Sequence, residues 1–97
     1  MILTKHVNPE GQMIIAVIDD ELLDKNYETD ELQLDFRSKF YHGKEAEKEE
    51  ILVELSKSYM AVCAGDDTVG MLIEEGYITR DDLSIIAGIP YVYVSRG

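Results

Sequence analysis

The chain has 97 residues, with 9 Lys and Arg against 20 Asp and Glu, and a formal net charge of −11. That length fits one domain spanning 1–97, no apolar run approaches the roughly 18 residues of a membrane helix, and a single cysteine excludes an internal disulfide framework or a multi-cysteine zinc site. The acidic balance repels phosphate backbones and anionic lipid, which disfavours RNA and membrane partners.

Ile2 to Val7 reads as a strand, and Asn8-Pro9-Glu10-Gly11 is a turn signature. Met13 to Ile18 is a continuous apolar, β-branched run, as in a strand buried on both faces. The pair predicts an antiparallel hairpin. Asp19-Asp20-Glu21 ends the second strand, and the polar stretch Asp24 to Asp30 reads as a turn or loop. Leu32, Leu34 and Phe36 alternate with polar residues, which predicts a third strand with one wet face.

Glu45 to Ser58 reads as a helix, with Ile51, Leu52, Leu55 and Tyr59 in one stripe and Glu-rich in its first turn. Met60 to Ala64 is short and apolar, and is expected as an extended link. Asp66 is expected to cap a second helix through Glu75, with Val69, Leu72 and Ile73 inward and Gly76 as a left-handed stop. Gly70 inside it suggests close packing. Thr79 and Asp82 resemble a capping box for a single helical turn. Ser84 to Ser95 is β-branched and aromatic, and Pro90 places that part at a sheet edge or bulge. The expected fold class is α+β: a mostly antiparallel or mixed sheet of N-terminal hairpin, third strand and C-terminal strand, with two helices.

Four motifs resemble the archaeal family known as domain of unknown function 424. They are Asp20-Glu21-Leu22-Leu23 with Lys25, Phe40-Tyr41-His42-Gly43, Ala61-Val62-Cys63-Ala64-Gly65 before a short helix, and Gly88-Ile89-Pro90. The resemblance covers nearly the whole chain in order. It implies a small archaeal cytoplasmic protein with no established activity and a suspected association with translation. Relatives often carry Asn at the position of Val62, His at that of Tyr91 and Gly at that of Asp24. The first two departures bear on whether this chain keeps a polar site of its relatives.

No catalytic constellation emerges, so a non-enzymatic role without cofactor is expected. Cys63 lies among Met60, Ala61, Val62 and Ala64 and reads as core. His6, His42 and Cys63 lack any local metal-ligand spacing. The pairs Asp19-Asp20, Asp66-Asp67 and Asp81-Asp82 read as caps, turns and solvated faces. Neither a phosphate loop nor a serine nucleophile elbow is present. The absence of a signal-peptide pattern and of disulfides points to the cytoplasm.

Two segments remain as candidate binding sites. Arg37 to Lys44 breaks the acidic trend: Phe40 and Tyr41 could stack on a base while Arg37, Lys39 and Lys44 hold phosphates. Tyr91 and Tyr93 alternate with valines, so both lie on one face of a strand, expected to be partly exposed. As an edge, that strand could also pair across a two-fold axis to give a homodimer. The leading expectation is a module that binds a protein partner or larger assembly. RNA binding or a translation-associated role through 37–44 is the alternative.

Overall fold

The structure, a computed structural model, describes residues 1–95. Two strands, β1 (Ile2–Val7) and β2 (Met13–Ile18), pair antiparallel from Ile2↔Ile18 to Val7↔Met13, as their pattern predicts. Asn8 shapes the connecting turn: its Oδ1 accepts the Glu10 and Gln12 N–H groups at 3.1 and 2.8 Å.

The remaining elements are β3 (Asn26–Glu28), β4 (Gln33–Asp35), β5 (Lys44–Glu45), α1 (Lys48–Lys57), β6 (Met60–Ala64), α2 (Asp66–Glu74), β7 (Ser84–Ile86) and β8 (Ile89–Ser95). One six-stranded sheet has the order β5-β1-β2-β6-β8-β7, and β3 with β4 forms a separate ribbon. β2 and β6 run parallel and the other neighbours antiparallel. With two helices beside this mixed sheet, the fold is α+β.

Both faces of the central strands are covered, which explains why β2 is apolar at every position. One face carries Leu3, Ile15, Val17, Ala61, Cys63 and Val92, packed against Ile51 and Leu55 of α1 and Val69 and Leu72 of α2. The opposite, outer face carries Ile2, Ile18 and Ala64. It is roofed by Leu22, Phe36 and the partly buried Leu34 and Tyr41, with Tyr91 of β8 packed beside them.

Several expectations are corrected. Met60–Ala64 is no link but a central strand, paired with β2 on one side and β8 on the other. Its small residues Ala61 and Cys63 let the helices approach the sheet. The third strand leaves the main sheet, and the stretch expected as a loop supplies its partner β3. Leu32 is 53% exposed because it closes that ribbon's turn, where its carbonyl accepts the Thr29 N–H at 2.8 Å.

The C-terminal run is two strands, not one. Ala87 (φ 52°) and Gly88 (φ 83°) are both left-handed, as a two-residue hairpin turn of type I′ requires. The terminal strand β8 is therefore an edge only in its second half, because β7 covers the first. Pro90 is tolerated inside the sheet for a specific reason. Its carbonyl accepts the Gly65 N–H at 2.9 Å, so its missing N–H would face the Gly65 carbonyl. That carbonyl already accepts the Val69 N–H at 2.9 Å in the first turn of α2, and no acceptor is orphaned.

Gly70 is not a close-packing position: a Cβ there would meet nothing within 4 Å. Gly70→Ala, in the middle of α2, is expected to stabilise the fold by about 1 kcal/mol through backbone entropy. In a thermal melt that is a rise of roughly 4–8 °C; an unchanged or lower midpoint would show that the site is crowded.

Candidate functional site

The two candidate segments converge on the outer face of the sheet. In β8, Tyr91 stands opposite Ala64 and Tyr93 opposite Val62. The registers Ala16↔Val62 and Ile14↔Met60 put Ile14, Met60 and Val62 on the same face. These three are half-buried, and Tyr93 is 62% exposed. Tyr91 and Tyr93 meet edge to face at 6.3 Å.

Phe40 and Tyr41 reach this face from the 3-10 turn Lys39–Tyr41. Ser38 starts that turn by accepting the Phe40 N–H on its Oγ at 3.1 Å. Phe40 stacks on His6 of β1, with ring centres 4.4 Å apart and planes 2° from parallel, and His6 Nε2 lies 3.0 Å from the Phe40 carbonyl oxygen. Tyr41 packs edge-on against the buried Phe36 at 5.0 Å. Burial pushes the Tyr41 hydroxyl pKa up, and the neighbouring Tyr93 and Asp35 add to the shift. Tyr41 and Tyr91, from distant parts of the chain, pack against the same buried cluster.

Two of the three cations of the loop are held by acids. Arg37 clamps Asp35 through Nε–Oδ1 at 2.8 Å and Nη2–Oδ2 at 2.9 Å. Those hydrogen bonds hold the Asp35 carboxyl down to about 2. Lys44 pairs with Leu3, which faces the helices, and its ammonium is bound to Glu50 of α1. Lys39 alone is exposed and without an ion pair among the described residues. His42 pairs with Asp24 at 2.8 Å; Asp24 holds a left-handed φ of 66° in its turn.

The remaining chemistry-bearing residues have structural partners. Cys63 is fully buried in the helix-side core, and burial pushes its thiol up to about 12, far from a usable thiolate at neutral pH. Asp19 is 2% exposed and caps a helix distant in sequence: its two oxygens accept from Asp67 N–H at 2.9 Å, Thr68 N–H at 2.8 Å and Thr68 Oγ1 at 2.7 Å. Carboxylate oxygens of Asp19, Glu21 and Asp67 lie within 4.8 Å of one another, an acidic cluster gathered by that cap. Asp82 closes the expected capping box, accepting the Thr79 N–H at 2.8 Å.

Sequence reasoning singles out Phe40, Tyr41, Tyr91 and Tyr93 but not their meeting, nor the part of His6 in holding Phe40. It also misses the Asp19 cap. The Asp35–Arg37 pair does have a local signal, since the two residues are two apart on one side of a strand end.

No helix among the described residues is long and apolar enough to cross a membrane. The fold is similar to the crystal structure of an uncharacterized conserved protein from Methanopyrus kandleri, with a TM-score of 0.72 over 99% of this chain and 93% of that one, at 20% identity. No curated protein matches the chain. Residues 7–96 match the family described as Protein of unknown function (DUF424), and the chain belongs to that family.

Proposed function

We propose that the chain is a non-enzymatic protein-interaction module whose contact surface is the outer sheet face around Tyr41, Tyr91 and Tyr93. The observation that carries this reading is the exposure of Tyr93, 62%, in a strand whose neighbours on the same face are aromatic or aliphatic. Tyrosine combines a large apolar ring with a polar tip and is enriched at protein interfaces. A cluster of them bordered by half-buried aliphatics suits a partner that supplies apolar side chains and hydrogen bonds to the hydroxyls.

RNA binding is the second reading, favoured by Lys39 standing next to Phe40 and Tyr41. Arg37 and Lys44 are occupied, and the net charge of −11 opposes polyanions. Salt dependence separates the readings. Three phosphate contacts give a log–log slope of about −2 for single strands, and Lys39 alone gives about −0.7.

Tyr93→Ala tests the leading reading. Its side chain is mostly in solvent, so the stability change should stay within about 0.5 kcal/mol. Retention of partners from nuclease-treated lysate should fall at least tenfold relative to the wild type. Equal retention by both proteins would sink the tyrosine face as the contact surface. Loss of all bound material on nuclease treatment would favour RNA instead.

A further inference from the structure

We infer that the uncovered edge of β8 is a docking groove for an extended basic peptide, which adds to the sheet in line with β7. The inference rests on the interaction-module reading but uses a different surface of the same strand. β7 pairs with β8 only over Ile86↔Ile89, Ile85↔Pro90 and Ser84↔Tyr91. Before Ser84 the chain turns away through the 3-10 turn Arg80–Asp82, while β8 runs on to Ser95. The space between them is a cavity of about 410 Å³, walled by Tyr77, Ile78, Asp82 and Ser84 against β8 from Tyr91 onward.

The backbone of β8 faces that cavity with hydrogen-bonding groups to spare. In an antiparallel pair, successive residues direct their N–H and C=O to alternate sides. The Pro90 carbonyl bonds to Gly65, so Pro90, Val92 and Val94 point at β6. Tyr93 therefore points its N–H and C=O into the cavity, and no described residue pairs with either. Sheet edges are normally blunted by short strands, Lys or Pro. The β5 edge is two residues long and carries Lys44, and β7 is three residues long. The stretch of β8 around Tyr93 has none of these protections.

An extended backbone is the ligand whose donors and acceptors match an open strand edge. Charge selects its side chains. Among the described lining residues the one carboxylate is Asp82, which also caps Thr79, and its turn adds Asp81 and Arg80, whose charges offset, on a chain of net charge −11. A second copy of the chain would bring the same acids together, so a cationic peptide is the better occupant.

The test is titration of the 15N-labelled chain with an acetylated, amidated octapeptide of alternating valine and lysine. The Tyr93 amide should shift and its hydrogen exchange should slow at least tenfold. The same peptide N-methylated at alternate residues, which lacks the donors of one edge, should bind at least tenfold more weakly. Tyr93→Ala should still bind, because it keeps the backbone; this separates the edge from the tyrosine face. An unmoved Tyr93 amide at saturation, equal binding of the N-methylated peptide, equal binding of a valine–glutamate counterpart, or protection of that amide by self-association without peptide would each overturn the inference.

Discussion

Gly65→Ala is expected to destabilise the fold by at least about 3 kcal/mol, the sum of a strained backbone and a displaced cap. Gly65 holds φ at 108°, a region that L side chains rarely adopt. Its hydrogen side is also filled: a Cβ would lie 2.5 and 2.6 Å from the two oxygens of Asp19. Asp19 has nowhere to retreat. It is buried at the junction of β2 and α2, and it satisfies two backbone N–H groups and the Thr68 hydroxyl. Moving it strands donors at the positive end of the helix, each worth about 1 kcal/mol or more when buried. A loss of about 3 kcal/mol lowers the thermal midpoint by roughly 12–24 °C in a domain of this size. Asp19→Asn keeps the shape but loses the charge and turns one accepting oxygen into a donor, and should cost about 1–3 kcal/mol. If Gly65→Ala melted with the wild type, the cap would not be the tight junction described.

That junction also marks where sequence reasoning stops. The first hairpin is legible because everything that makes it is local: an apolar strand, the Asn8-Pro9-Glu10-Gly11 turn and a second apolar strand. Both helices are legible from periodicity and from Glu49, Glu50 and Gly76 at their ends. Met60–Ala64 carries no signal that distinguishes a link from a central strand, since its partners lie in distant segments. β3 is polar at Asn26 and Glu28 and gains its form from β4. Asp19 looks like the end of a strand, and its target helix lies 48 and more residues away. The aromatic face has the same character. Phe40 and Tyr41, and Tyr91 and Tyr93, stand out singly as aromatics in unusual places. The 3-10 turn folds back over β1 and strand pairing carries β8 to the same face, and neither long-range contact is visible in a single sequence.

Gly43→Ala is expected to cost about 3–5 kcal/mol, because the clash includes the Leu3 backbone as well as the Thr4 hydroxyl, and backbone cannot turn aside. A Cβ at Gly43 would lie 2.6 Å from the Leu3 carbonyl carbon, and closer still to its oxygen. Leu3 is held in β1 between β2 and β5, so relief comes by lifting β5 off the pairs Ile2↔Glu45 and Leu3↔Lys44. The preceding turn goes with it, since Phe40 and Tyr41 sit three and two residues back and pack over the outer face beside Phe36. Stability and the candidate contact surface should therefore fail together. The thermal midpoint drops, the His6 ring protons lose the shift induced by the stacked Phe40, and partner retention falls although Gly43 itself touches no partner. Tyr93→Ala has the opposite signature, lost retention at unchanged stability. The contrast assigns one residue to the surface and the other to the support beneath it. A Gly43→Ala protein that melts like the wild type and keeps the His6–Phe40 stack would mean that β5 has room to spare against β1, and that the aromatic face is not anchored through this contact.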